Sequence, residues 1–321
     1  MTSLPSLCCR AWTGLSSFLA SSPSVKPKSS QKLASNSEPV QLAFHCAQPQ
    51  DEEEGKAPIT LLHGITASKE CWFDIPQILA KKTKRKVYAV DLRHHGDSPW
   101  SDTFEFDSNI LDLQHFMETE KIDKVILVGH SMGGMIAIKF ALAMPQKIEK
   151  LVVEDVTIGK IPQEVIQLLE SKLEIAKASI KEIPGELDDV AAHKLLPKIM
   201  IQKVPPDFRE FVRFDENTFT LKKVNGKFTF KVNINAIESA LERLSGTIPK
   251  PNGCYSGSTC FIYGKKSPFN VGSDENIIKR YFPNAELIGI ENAGHTVHNE
   301  CRSEFLNSLL SFLCKEYTAR L

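Results

Sequence analysis

The chain has 321 residues, of which 42% are hydrophobic and 24% charged, so it is long enough to bury a substantial core. Lys plus Arg and Asp plus Glu both number 39, a balance that argues against a nucleic-acid-binding protein or a polybasic membrane-surface protein. No apolar run reaches the roughly 20 residues of a membrane-spanning helix, so we expect no transmembrane segment.

The first 37 residues are predicted to be a separate leader. They contain Arg10, Lys26, Lys28 and Lys32, many serines and no acidic residue before Glu38. A basic, serine-rich segment without acids is typical of a mitochondrial import sequence. We therefore expect a protein of the mitochondrial matrix. A secretory signal is disfavoured, and a disordered tail on a cytoplasmic protein is the alternative.

Strand and helix patterns alternate along the next part of the chain. Apolar runs predict strands at 40–46, 59–62, 87–90, 125–128 and 151–153. Helical spacing predicts helices at 72–82, 110–120 and 132–144. This alternation indicates βαβ units in a mostly parallel central sheet flanked by helices. The central strands are continuous apolar runs, as expected for strands that are buried on both faces.

The alternation stops at about residue 158. Residues 158–250 are richer in charge and are predicted to be mainly helical, with one hairpin over 219–232 that turns at Asn225 and Gly226. The pattern then resumes with strands at 260–263 and 287–290, a helix at 275–281 and a C-terminal amphipathic helix. The sequence therefore predicts one α/β domain over 38–321 that carries a helical lid insertion at about 158–250.

The eight cysteines do not indicate a zinc site or a disulfide framework. Six of them are scattered singly, the other two lie in the leader, and none forms a CxxC pair. We expect free thiols and a reducing compartment. The sequence predicts no metal and no cofactor.

The segment from Gly129 to Gly133 predicts a nucleophile. It reads Gly-His-Ser-Met-Gly, matches the pattern G-x-S-x-G, and lies directly between the predicted strand at 125–128 and the predicted helix at 132–144. A serine on such a sharp turn presents its hydroxyl above the strand ends, at a helix N-terminus whose dipole favours a developing oxyanion. Ser131 is the predicted nucleophile.

A serine needs a base, and His295 is the predicted one. In hydrolases with this motif the base follows the last strand, and His295 follows the predicted strand at 287–290 after the flexible Gly294. His298 is expected to contact a loop or the lid. His130 is expected to pack beneath the nucleophile.

The acid that orients the base is predicted to be Asp155. Glu154 and Asp155 end the predicted strand that precedes the insertion, and strand alternation lets at most one of them face His295. Asp274 is the alternative acid, and it also fits the N-cap of the predicted helix at 275–281.

Two backbone N–H groups are predicted to bind the oxyanion. One belongs to Met132, which follows the nucleophile, and the other to Ile65, which follows His63 and Gly64 in the loop after the strand at 59–62. His63 itself is expected to be structural.

Four segments together resemble the α/β-hydrolase domain-containing protein 11 family. They are His63–Gly64 and residues 91–99, 129–134 and 292–298, and the resemblance runs from about Pro58 to the C-terminus. It implies the α/β-hydrolase fold and cofactor-independent hydrolysis of carboxylic esters. The family includes bacterial esterases and mitochondrial animal proteins, and the animal members are described as lipases that act on diacylglycerol and as partners of the 2-oxoglutarate dehydrogenase complex.

Two positions depart from this family's pattern. An aspartate that is sometimes assigned as catalytic in the lid falls at Asn235, which cannot supply a negative charge, whereas the acid of bacterial relatives falls at Asp155. Thr296 stands where a tryptophan is common after the base.

The sequence thus predicts a serine esterase or lipase that acts on small or lipid esters. The alternative is an adaptor protein, non-catalytic or with a dual role, that contacts a mitochondrial enzyme complex. A dehalogenase is disfavoured because it would need a carboxylate in place of Ser131.

Overall fold

The computed structural model describes residues 38–53, 55–101, 104–158, 161–211, 214–244 and 252–315, so the predicted leader at 1–37 lies outside the described residues. The strands are β1 Phe44–Ala47, β2 Ile59–Leu62, β3 Val87–Val90, β4 Val125–His130, β5 Ile148–Glu154, β6 Leu221–Val224, β7 Lys227–Phe230, β8 Ser258–Gly264 and β9 Ala285–Ile290. The α-helices are α1 Ile75–Thr83, α2 Phe106–Thr119, α3 Met132–Ala143, α4 Gln163–Ser179, α5 Asp189–Lys203, α6 Ile234–Leu244, α7 Glu275–Tyr281, α8 Val297–Glu300 and α9 Arg302–Cys314.

Seven of these strands form one twisted sheet in the order β1-β3-β2-β4-β5-β8-β9. Within this sheet only β1, among the described strands, runs antiparallel to its neighbour, and the other pairs are parallel. The predicted mostly parallel α/β architecture is therefore confirmed. Parallel strands place their carboxyl ends on one edge, and residues that follow β2, β4, β5 and β9 meet there.

Helices cover both faces of the sheet. Ile59 and Leu61 of β2 pack on one face with Ile75 of α1 and Phe305 of α9. The other face packs Leu62 and Leu127 against Phe140 of α3, and this second apolar cluster continues into the insertion. Period-two alternation along each strand explains why neighbouring apolar residues enter different clusters.

The insertion between β5 and β8 contains α4, α5, α6 and the β6–β7 hairpin. The hairpin turns at Asn225 and Gly226, which have φ values of 51° and 77°, as a tight two-residue turn requires. In this predicted helical region α4 extends over Gln163–Ser179, and α5 forms although Pro197 lies inside it.

Element ends differ from the sequence prediction where local signals are weak. The first strand is Phe44–Ala47 rather than 40–46, and the helix predicted at 72–82 is a 3-10 turn Lys69–Trp72 followed by α1. Helix α2 begins four residues before the predicted start at residue 110.

Among the described residues, no helix has both the length and the apolar character that a membrane span requires. The described cysteines, Cys46, Cys71, Cys254, Cys260, Cys301 and Cys314, are free thiols.

Candidate active site

Ser131 lies on a sharp turn between β4 and α3. Its backbone has φ 53° and ψ −116°, a conformation that a non-glycine residue adopts only under strain. A Cβ at Gly129 would lie 2.3 Å from the carbonyl oxygen of Gly133, and a Cβ at Gly133 would lie 2.3 Å from that of Leu62. The two glycines are therefore required for the close packing of strand, turn and helix that holds Ser131 in place.

Ser131, His295 and Asp155 form one chain of hydrogen bonds. The Ser131 Oγ–H donates to Nε2 of His295 over 2.9 Å, and Nδ1–H of His295 donates to Oδ2 of Asp155 over 2.7 Å. The His295 side chain is one-third exposed, whereas that of Asp155 is buried. The structure thus brings together three side chains that are up to 164 positions apart in the sequence.

Two hydrogen-bond donors, one at the end of β8 and one shortly after it, hold the Asp155 carboxylate. Its Oδ1 accepts the backbone N–H of Gly264 over 2.9 Å, and its Oδ2 also accepts the hydroxyl of Ser267. These bonds fix a buried carboxylate that would otherwise be costly to desolvate. Asp274, the alternative acid, lies at the start of α7 and accepts the Thr157 hydroxyl over 2.7 Å instead.

The two predicted oxyanion donors adjoin Ser131. Ile65 and Met132 line the same small cavity as Ser131, and Met132 is the first residue of α3, where backbone N–H groups have no intrahelical acceptor. The loop that carries Ile65 is fixed by two buried histidines. His63 donates from Nδ1 to the Gly64 carbonyl oxygen over 2.8 Å, and His95 Nε2 lies 2.6 Å from the Ile65 carbonyl oxygen.

Burial lowers the pKa of three histidines around the site, His63, His95 and His130. It lowers the pKa of His95 to about 3 although two carbonyl oxygens favour the charged ring. Burial, together with the nearby rings of His295 and His298, also holds the pKa of His130 well below its usual range. His130 packs beside Ser131 and donates from Nε2 to the His295 carbonyl oxygen over 3.0 Å.

A small apolar cavity of about 30 Å³ lies against Ser131. Helix α4 contributes Val165, Ile166 and Leu169, and α6 contributes Leu241. A space of this volume holds one or two waters. A larger open groove of about 1090 Å³ includes Ile148 and Ser258, the first residues of β5 and β8, and therefore lies at the opposite edge of the sheet from Ser131.

The contacts of His298 with Glu154 and Trp72 lie in the core behind the site. His298 is buried behind His295, where its backbone N–H and its Nδ1–H both donate to the Glu154 carboxylate over 2.8 Å. One ligand atom each of His130, Glu154 and His298 lie within 4.8 Å of one another, a spacing that a metal ion could bridge. The hydrogen bonds among these groups and His295 account for this arrangement without an ion.

Two contacts at the site had no local signal in the sequence. The Phe269 ring stacks on His295 with a centroid distance of 4.7 Å and an interplanar angle of 21°. Glu300 accepts the backbone N–H groups of Gly294 and Thr296, on either side of His295, over 2.8 and 3.0 Å. Both contacts restrict the loop that carries the imidazole.

The chain is similar to known proteins over most of its length. Residues 57–300 match the model of the family described as alpha/beta hydrolase fold. The chain is 33% identical over 257 residues to the sn-1-specific diacylglycerol lipase ABHD11 of Mus musculus, covering 79% of this chain and 80% of that protein. It is 30% identical to the protein of the same name from Danio rerio, covering 95% and 92%. A solved structure named marine microorganism esterase has a TM-score of 0.70 and 27% identity, and covers 85% of this chain and 99% of that one.

Proposed function

The chain belongs to the α/β-hydrolase family and is a carboxylic ester hydrolase, and from this premise we propose that it cleaves acylglycerol-like lipid esters through an acyl-enzyme on Ser131. The observation that carries the proposal is the hydrogen-bonded chain from Ser131 through His295 to Asp155.

In the proposed reaction, His295 takes the proton of Ser131 as the oxygen attacks the ester carbonyl. Nε2 accepts this proton because Nδ1–H already donates to Asp155, which fixes the tautomer and stabilises the imidazolium. The proton then passes to the leaving alcohol, and the acyl group stays on Ser131. Water, deprotonated by the same imidazole, releases the acid and restores the serine.

The backbone N–H groups of Ile65 and Met132 are the proposed oxyanion donors. Negative charge develops on the carbonyl oxygen only during the reaction, so donors fixed beforehand stabilise the transition state more than the ground state. Removal of one such donor typically costs about 3 kcal/mol of this stabilisation.

The cavity supports a lipid substrate. Its lining comes almost entirely from aliphatic and aromatic side chains, with Ser131 as the polar exception among the described lining residues. Such a surface favours an acyl chain over a polar group. The relatives from Mus musculus and Danio rerio are named for diacylglycerol, which makes this lipid the first substrate to test.

The test is a series of p-nitrophenyl esters of increasing chain length, together with a diacylglycerol, on wild type and Ser131→Ala. We expect hydrolysis in wild type and a loss of at least about 10³-fold in kcat in the variant. A fluorophosphonate should label wild type and not Ser131→Ala. Absence of labelling in a folded wild type would contradict the proposal and favour the adaptor function.

We also propose that the protein enters the mitochondrial matrix. The basic, acid-free composition of residues 1–37 supports this location. A fluorescent protein fused behind these residues should co-localise with a matrix marker, and replacement of the four basic residues by glutamate should abolish import. Co-purification with the 2-oxoglutarate dehydrogenase complex from matrix extracts would test the association that the family resemblance implies.

A further inference from the structure

We propose that Glu154 and His298 form a positioning pair that holds the loop carrying His295 in its reactive place. This inference rests on the proposed function, because it assigns a role to residues that support the proposed base. Neither residue reaches the cavity beside Ser131; both act through the backbone of residues 295–298.

The pair is a two-point clamp between β5 and the loop. One carboxylate oxygen of Glu154 accepts both the backbone N–H and the Nδ1–H of His298 over 2.8 Å, and the other oxygen lies 2.9 Å from the same Nδ1. A backbone bond fixes where the loop lies, and a ring bond fixes how the side chain is oriented. Together they leave the loop little freedom at this point.

The clamp is buried and tightly packed. The side chains of Glu154 and His298 are 0% and 1% exposed. The Trp72 ring lies 4.5 Å from the His298 ring, and the His130 ring lies 5.1 Å from it. His130 in turn donates to the His295 carbonyl oxygen, so the clamp and the proposed base are connected through one shared ring.

Two adjacent carboxylates, one on the last residue of β5 and one on the residue directly after it, thus hold two histidines that are three positions apart. Asp155 receives the His295 ring, while Glu154 receives His298. Because both carboxylates belong to neighbouring residues, the distance between the imidazole and its acid is set by the same strand end that anchors the loop. A shift of the loop relative to β5 would lengthen the bond between His295 and Asp155.

A packing role alone does not explain a buried carboxylate. Apolar residues of similar size fill such a position without a desolvation cost, and replacement of buried polar pairs by apolar groups is often neutral or stabilising. What the polar pair adds is direction, since hydrogen bonds fix orientation and apolar contacts do not. In a hydrolase, misplacement of a reacting group by about 1 Å can cost about 10²-fold in rate.

The experiment compares wild type, His298→Leu, His298→Asn and Glu154→Gln in the hydrolysis of p-nitrophenyl butyrate. Leucine keeps the volume and removes the ring donor, whereas asparagine keeps an N–H near the position of Nδ1. Glutamine keeps an acceptor for the backbone N–H and removes the charge. Circular dichroism and the melting temperature establish that each variant is folded at the assay temperature.

We expect His298→Leu to lower kcat by about 10²-fold, with KM changed less than about threefold. His298→Asn should recover most of the loss. Glu154→Gln should lie between them and, because it is nearly isosteric, it provides the measurement if His298→Leu does not fold. Glu291→Gln is the matched control, since it removes an exposed ion pair with Lys265 beside the same loop and should leave kcat unchanged.

The outcomes separate this inference from the proposed function. An active wild type with wild-type kcat in both His298→Leu and Glu154→Gln overturns the positioning role alone. Equal losses in His298→Leu and His298→Asn would also overturn it, because the donor would then be irrelevant. A folded wild type without hydrolysis that depends on Ser131 overturns both.

Discussion

At the scale of single residues, strain and burial coincide at the carboxyl ends of β4 and β5. Ser131 and Asp155 have φ values of 53° and 49°, although neither is glycine. Such backbone conformations typically cost about 1 to 3 kcal/mol each and persist where the surrounding structure imposes them. Here each one aims a side chain at the same imidazole, so the strain contributes directly to the arrangement of the site.

Replacement of Asp155 by asparagine should separate the two candidate acids. Asparagine keeps the size of the side chain but loses the charge that stabilises the imidazolium, so we expect kcat to fall by about 10⁴-fold, the size of loss seen in serine proteases. Asp274→Asn is the control, because an amide oxygen can still accept the Thr157 hydroxyl. Comparable losses in both variants, measured with a p-nitrophenyl ester, would contradict the assignment of Asp155.

Ser131 and His295 could be predicted from the sequence because each follows a recognisable strand and a glycine marks each turn. It did not identify the pairing of Glu154 with His298. The direction of a side chain at a strand end depends on whether the strand continues, and the positive φ of Asp155 ends the alternation there. Ser267 and Phe269 were also missed, since their contacts with Asp155 and His295 arise only when distant segments meet.

At the scale of secondary-structure elements, the turn between β4 and α3 depends on space that only glycine leaves. A Cβ at Gly133 would press on the backbone of Leu62, which belongs to β2 and cannot move aside as a side chain can. We therefore expect Gly133→Ala to lose about 3 kcal/mol of stability, together with activity, because α3 is pushed away from β2.

Thermal denaturation and ester hydrolysis check this expectation, with Gly55→Ala as the control. Gly55 has a positive φ of 81°, but a Cβ there meets no atom within 4 Å, so only backbone strain of about 1 kcal/mol is expected. A Gly133→Ala variant as stable and as active as Gly55→Ala would show that the turn tolerates the extra carbon.

Helix α4 should control acyl-chain length. Since Leu169 lines the cavity beside Ser131, Leu169→Trp fills the space into which a chain would extend. We expect kcat/KM for an octanoate ester to fall at least about tenfold, while that for an acetate ester changes less than about twofold. Leu168→Trp is the matched control, because its side chain is not among the lining residues. Equal effects on both esters would place the acyl chain elsewhere.

The insertion was the part of the chain that the sequence described least well. Its hairpin was predictable because Asn225 and Gly226 are a strong turn signal. The bounds of α5 were not, because Pro197 lies inside that helix and a proline usually marks a helix end. Apolar residues of the insertion pack against both the sheet and each other, which weakens the single apolar stripe from which a helix is recognised.

At the scale of the whole molecule, the architecture followed from two periodicities. Continuous apolar strands alternating with amphipathic helices allow few alternatives to a parallel sheet covered on both faces. The order of the strands in the sheet could not be predicted from these periodicities. In the sheet β2 lies between β3 and β4, and β1 lies at the edge beside β3. Those pairings depend on contacts between residues far apart in the chain, which a local pattern does not encode.

The buried histidines make the stability of the folded protein dependent on pH. Burial lowers the pKa values of His63, His95 and His130. In the unfolded chain these rings titrate near 6.5, so below that pH the unfolded state binds protons that the folded state does not. The contribution is fully present above pH 6.5 and is lost as the pH falls, with the loss from His95 continuing to about pH 3. Three such groups together reduce stability by up to about 4 kcal/mol per pH unit.

Urea denaturation at pH 7.5, 6.5, 5.5 and 5.0 measures this dependence. We expect the free energy of unfolding to change little between pH 7.5 and 6.5 and to fall steeply below. His95→Gln should flatten the fall by about one-third, since glutamine can still donate to the Ile65 carbonyl oxygen and does not titrate. His45→Gln is the control, because it removes a histidine whose side chain is 65% exposed. A free energy of unfolding that stays constant to pH 5.0 would mean that the buried rings accept protons in the folded state, and with them a positive charge beside the proposed oxyanion loop.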